Sequence, residues 1–114
     1  MATADLDIDT RIEGDWRVVA IRGEVDLYTS PQLREAIERV ANDGVVRILV
    51  DLTGVSFMDS SGLGVLVGSL KRSRERGGDL ALVCQEGSIL RVLTITGLDR
   101  VFPIHASVAD AVGA

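Results

Sequence analysis

The apolar run of Val45, Val46, Ile48, Leu49, Val50 and Leu52, set between Gly44 and Gly54, constrains this chain most. Its β-branched composition suits a strand covered on both faces. Shortly after it, Leu63, Leu66, Val67 and Leu70 recur at i, i+3, i+4 and i+7, one stripe of an amphipathic helix. Residues 55–66 are therefore predicted to carry a strand end into a helix. Asp59, Ser60 and Ser61 fall at the N-cap and first-turn positions, where short oxygen-bearing side chains accept the amide protons that a helix start leaves unpaired.

The flanking sequence builds the same kind of unit on either side. Residues 6–13 alternate through Leu6, Ile8 and Ile12, interrupted by Thr10, and predict an edge strand. Gly14 and Asp15 make a turn into a second strand at 16–22, whose continuous centre of Val18, Val19, Ala20 and Ile21 predicts cover on both faces. A loop over 23–28 leads to Thr29 or Ser30 as N-cap, with Pro31 at the first helical position and a stripe of Leu33, Ala36, Ile37, Val40 and Ala41 ending near 42–44. Gly77 and Gly78 stop the central helix, and 79–84 is a further strand. Ser88 is placed to cap a short helix of Ile89, Val92 and Leu93 that ends at Gly97. Residues 101–104 make a last strand, put at an edge by Pro103, and 107–112 a small terminal helix. With no repeat or linker in view, the expectation is one α/β domain over residues 1–114, a mixed sheet of about five strands flanked by about four helices.

Composition removes several function classes. At 46% hydrophobic residues the chain is not a disordered tail, and no apolar run reaches the ~18–20 residues a bilayer span needs. The first residues have neither the basic start nor the apolar middle of a secretory signal, so a cytoplasmic location is expected, without membrane attachment. A formal charge of -5 disfavours direct nucleic-acid binding. The cluster Lys71, Arg72, Arg74 and Arg76 falls at a helix C-terminus, where the dipole favours cations. Cys84 is the single cysteine and ends an apolar run, so it is read as core; His105 is the single histidine, and nothing in the sequence places the two together. No zinc site, other metal site or cofactor is expected. A serine nucleophile is disfavoured too, because there is no Gly-x-Ser-x-Gly elbow, and the chain is expected not to be an enzyme.

The start of the central helix is the candidate site. Free N–H groups and the macrodipole favour negative charge there, so a serine at that point is placed to carry a phosphate, although the same residues would serve as a plain cap. At about 100° per residue, Ser61, Gly64, Val65 and Gly68 lie opposite the Leu63, Leu66, Val67 and Leu70 stripe. That outward face is bare. Glycine in an exposed helix interior costs roughly 0.5–1 kcal/mol relative to alanine. Two readings account for the glycines: close approach by a partner, or tight packing within the chain.

The string from Phe57 to Gly64, with Asp59, Ser60, Ser61, Gly62 and Leu63 at its centre, resembles the phosphorylation segment of bacterial anti-sigma-factor antagonists, members of the STAS domain family. Gly23, Glu24, Val25 and Asp26, followed by Thr29 and Leu33, are similar to the family's Gly-Glu-Leu-Asp loop. Gly77, Gly78, Asp79 and Leu80 match its turn after the second helix, and Ile95 to Leu98 the end of its third. The resemblance implies a STAS fold and a module that, unphosphorylated, binds an anti-sigma factor which is also a serine kinase, freeing the sigma factor. It implies phosphorylation at Ser60, which local physics does not separate from Ser61, with ATP bound by the partner and a serine/threonine phosphatase reversing the step. The partner surface expected from it comprises Glu24, Val25 and Asp26, the segment Asp59, Ser60, Ser61 and Gly62, and the outward Gly64, Val65 and Gly68, on a monomer. STAS-like domains also serve as scaffolds and lipid-transport accessory subunits, and the intact Asp59, Ser60, Ser61 and Gly62 favour the phosphoswitch over these.

Overall fold

Strand β1 (Asp7–Glu13) forms an antiparallel hairpin with β2 (Trp16–Val25), and everything after it is parallel: β2 with β3 (Arg47–Met58), β3 with β4 (Asp79–Val83), and β4 with β5 (Ile104–His105). These elements come from a computed structural model that describes residues 5–45 and 47–114. The sheet order is β1-β2-β3-β4-β5, which puts the first and last strands at the edges, as expected; the last strand, expected over 101–104, is instead Ile104–His105, because Val101 and Phe102 are taken up in a turn and Pro103 precedes the strand. Pro103 can accept but not donate, and its carbonyl takes the Leu82 N–H at 2.9 Å.

Helices α1 (Ser30–Asn42), α2 (Ser60–Glu75) and α3 (Ser88–Ile95) fill the crossovers, and α4 (Val108–Gly113) follows β5. Side chains alternate across each strand, so the sheet carries two cores. On one face Val19, Ile21, Ile48, Val50, Leu80 and Leu82 meet Leu33 and Ile37 of α1, Leu66 and Leu70 of α2, and Leu93 of α3. On the other, Trp16, Val18, Leu49, Ala81 and Val83 are covered by Ala111 and Val108 of α4. Among the described residues this is a single α/β domain with a five-stranded mixed sheet and four α-helices, the predicted architecture.

The two central strands run further than their sequence signals imply. The strands predicted at 16–22 and 45–52 extend to Val25 and Met58, while Val46 of the second lies outside the described residues. Gly23 and Gly54 look like stops but act as irregularities within the ladder. The register shifts between Ala20 and Arg22 and again between Gly23 and Glu24. Gly23 sits at φ 121, and a Cβ on Gly54 would come within 2.4 Å of the Arg22 side chain. Gly23 thus supplies a backbone conformation, and Gly54 the missing side chain, with which the strands continue through a bulge. At the other end of the chain, Ser88 opens α3 as its first residue and Gly87 takes the N-cap, whereas Ser107 caps α4 by accepting the Asp110 N–H at 3.0 Å.

Cys84 is buried, and burial pushes its thiol upward from its ordinary range. Its N–H donates to the His105 carbonyl at 2.9 Å, so the sheet brings the two residues side by side. Their side chains nevertheless leave on opposite faces. His105 pairs with Val83 of the smaller core, and Cys84 belongs to the larger. Among the described residues no helix is long and apolar enough to cross a membrane.

Candidate functional site

The C-terminal ends of β2 and β3 lie side by side, and each passes through an aspartate into its helix. At the end of β3, Asp59 has extended backbone (φ -97, ψ -172), and its Oδ1 accepts from the Ser61 N–H at 2.8 Å and the Gly62 N–H at 3.3 Å. Its own N–H donates to the Val25 carbonyl at 3.1 Å, tying the start of α2 to the end of β2. Ser60 is then the first helical residue. It is exposed, and its hydroxyl has no hydrogen-bond partner among the described residues, whereas Ser61 is half-buried. Exposure separates two serines that sequence alone does not.

At the end of β2, Asp26 Oδ1 accepts from the Tyr28 N–H at 2.9 Å and the Thr29 N–H at 3.0 Å. These bonds, that from Thr29 foremost, hold the Asp26 carboxyl below its usual range. Thr29 is buried and is the N-cap of α1, but its side chain faces back into the loop instead of capping the helix. Its Oγ1 accepts the Asp26 N–H at 2.9 Å and donates to the Glu24 carbonyl at 2.7 Å. Pro31 is consequently the second helical residue, still within the first turn where its missing N–H is harmless. Asp26 and Thr29 together stiffen a loop whose tip holds Leu27 and Tyr28 out at 68% and 73% exposure. Phe57, paired with Glu24 across the sheet, is exposed as well. These three apolar residues escaped the sequence reading. The available signal was Leu27 and Tyr28 standing in a loop with no strand or helix period to absorb them.

Three expected surface positions, Val25, Gly62 and Val65, prove to be interior. Val25 is 0% exposed and belongs to the main core. Val65, expected outward, is 5% exposed, and Val67, expected in the core stripe, is 40% exposed. The buried arc of α2 is Gly62, Val65, Leu66, Ser69, Leu70 and Ser73, because the helix packs on α1 as well as on the sheet and turns its small residues to that second contact. Gly62 is the tightest point: a Cβ there would lie 2.7 Å from both Met58 Cγ and Val25 Cγ1. Packing within the chain, not a partner, accounts for that glycine.

The other two helical glycines differ. Arg72 lies back over Gly68, its Nη1 3.3 Å from where a Cβ would stand, and reaches Ser69 Oγ at 3.4 Å and Glu38 of α1 at 4.0 Å. Gly64 is exposed with nothing within 4 Å of its Cβ position. The bare face therefore narrows to Ser61 and Gly64, beside the exposed Ser60. It forms one wall of a groove of about 630 Å³ whose other wall is Leu27, Pro31 and Arg34. An exposed, unengaged hydroxyl at a helix start, next to a groove and a stiff apolar loop tip, can accept a group and present it to a docked partner. Among the described residues no group of three or more histidine, cysteine or acidic side chains is placed to hold a metal ion.

Residues 7–111 match the STAS domain. The anti-sigma-B factor antagonist of Staphylococcus aureus is 38% identical over 101 residues, covering 89% of this chain and 94% of that one. The anti-sigma-B factor antagonist of Listeria monocytogenes is 41% identical over 87 residues, 75% of each chain. The crystal structure of an anti-sigma factor antagonist from Mycobacterium paratuberculosis superposes with a TM-score of 0.87 at 29% identity, over 95% of this chain and 92% of that one. With the five-stranded sheet and the aspartate-led start of α2 in place, the chain belongs to the STAS domain family, together with the anti-sigma-B factor antagonists.

Proposed function

We propose that this chain is an anti-sigma-factor antagonist switched by phosphorylation of Ser60. Unmodified, it docks an anti-sigma factor that is also a serine kinase and thereby frees the sigma factor; the kinase, using ATP bound on its own chain, then phosphorylates Ser60 and ends the complex. A serine/threonine phosphatase restores the active form. It acts as a cytoplasmic monomer and as a binding module, not an enzyme. The observation that carries this is the exposed, unengaged Ser60 hydroxyl at the start of α2, with Asp59 holding the first turn. The relatives' names support it. The docking surface is the accessible part of the expected one, Glu24, Asp26, Asp59, Ser60, Ser61 and Gly64, extended by the Leu27 and Tyr28 tip.

The switch needs no refolding. Phosphorylation adds about 1.5–2 negative charges, and the helix start offsets only ~0.3–1 kcal/mol of the cost of holding them. Glu24, Asp26 and Asp59 stand on the same end of the sheet. A partner shaped for a neutral hydroxyl then meets one unpaired like-charge contact, worth about 4 kcal/mol at ~4 Å and an effective dielectric near 20. A loss of about 3 kcal/mol already weakens binding more than a hundredfold.

Incubating the protein with anti-sigma-factor kinases and ATP, then locating phosphate by mass spectrometry, tests this. Phosphate is expected on Ser60 and absent from Ser60→Ala, which should still bind. Full phosphate yield on Ser61 in Ser60→Ala would refute the site, and a chain that neither binds nor is phosphorylated would belong with the scaffold or lipid-transport uses of the domain.

A further inference from the structure

The groove between α1 and α2 has a charge opposite to that of the chain. The protein carries 17 acidic and 12 basic residues, yet the charged side chains lining the groove among the described residues are Arg34 and Arg72, with no carboxylate. The neighbouring ridge is the reverse, with Glu24, Asp26 and Asp59 at the ends of β2 and β3. The two guanidiniums are not equivalent. Arg72 is engaged with Glu38 and Ser69, and on α1 Arg39 pairs with Glu35 at 2.8 Å. Arg34 is exposed and makes no ion pair or side-chain hydrogen bond among the described residues, although Glu38 stands one turn along the same helix.

From this we infer that the groove receives an acidic segment of the anti-sigma partner, and that Arg34 is the residue that pairs with its carboxylate; the inference rests on the function proposed above. A guanidinium matches a carboxylate with two parallel N–H···O bonds, a geometry that fixes orientation as well as attraction. Leu27 and Pro31 give the segment an apolar wall, and the bare Gly64 lets its backbone approach α2. Juxtaposed basic groove and acidic ridge admit one docking register. A partner shifted along the surface would set like charges together, and electrostatic complementarity of this kind governs specificity and on-rate more than gross affinity.

The test titrates purified anti-sigma-factor kinase against the full chain and its Arg34→Glu, Arg34→Gln and Arg34→Lys variants, with circular dichroism confirming the fold. Arg91→Glu on α3, remote from the groove, is the control. Arg34→Glu should weaken association about tenfold or more, Arg34→Gln less, and Arg34→Lys and Arg91→Glu less than about threefold. A carbodiimide should then couple the new amine of Arg34→Lys to an aspartate or glutamate of the kinase, identified in a cross-linked peptide. Wild-type binding left unaltered by Arg34→Glu, or weakened with no coupled carboxylate, overturns the groove assignment and leaves the proposed function standing. A wild-type chain that binds none of the kinases overturns both.

Discussion

The two loops that open α1 and α2 use the same device to different ends. In each, an aspartate at a strand terminus turns one carboxylate oxygen onto two backbone N–H groups, Asp26 onto Tyr28 and Thr29, Asp59 onto Ser61 and Gly62. After Asp26 the helix waits until Ser30, and the intervening residues form a stiff tip that holds Leu27 and Tyr28 in solvent. After Asp59 the helix begins at once, so the first helical residue is an exposed serine. One loop displays apolar surface, the other a hydroxyl. The contrast teaches that the aspartate sets only local order. The number of residues between it and the helix decides what is shown to a partner.

The largest expected effect separates the glycines of the second loop. Gly62→Val should destabilise the protein by about 2–3 kcal/mol, because the added carbons overlap Met58 and Val25, whereas Gly64→Ala, facing open space, should stabilise it by about 0.5–1 kcal/mol. Urea denaturation of both variants reads the pair. Equal effects would show that α2 is not seated on the end of β2 as described. In association the order reverses: Gly64→Trp should keep the fold but abolish docking in a pull-down with the kinase. Docking that survives would move the partner off the groove.

A smaller effect asks whether Asp59 acts as a cap or as a charge. Asp59→Ala should cost about 1 kcal/mol, while Asp59→Asn, whose amide oxygen accepts the same bonds, should retain most of the stability at neutral pH. If the asparagine variant is as weak as the alanine one, the carboxylate charge matters more than the two hydrogen bonds.

The smallest is a pH effect from the first loop. The Asp26 carboxyl is held below its ordinary value of 3.8 by the N–H groups of Thr29 and Tyr28. Its ionised form therefore contributes stability that is fully present above 3.8 and is lost as pH falls through the depressed folded value. The stability gap between wild type and Asp26→Asn should be constant from neutrality to about pH 5 and should narrow below pH 4. Chemical denaturation at stepped pH measures it. A gap that widens on acidification would reverse the assigned direction.

The order of elements, the hairpin, the two edge strands and the cap at Asp59 were legible from local chemistry. Alternation marks β1, proline marks the last strand as an edge strand though not its bounds, and a short acidic residue before a helical stripe marks a helix start whatever surrounds it. Tertiary structure alone decided which arc of α2 is buried. Leu63, Leu66, Val67 and Leu70 make an apolar stripe in one dimension. The helix, however, contacts both the sheet and α1, and that second contact draws Val65, Ser69 and Ser73 inward and leaves Val67 outside. The run of β2 and β3 through Gly23 and Gly54 is of the same kind, since a bulge exists only where two strands already pair. Periodicity reports what one segment could bury. Which of two adjacent faces is buried depends on neighbours brought together from elsewhere in the chain, as Val25 is brought under Gly62.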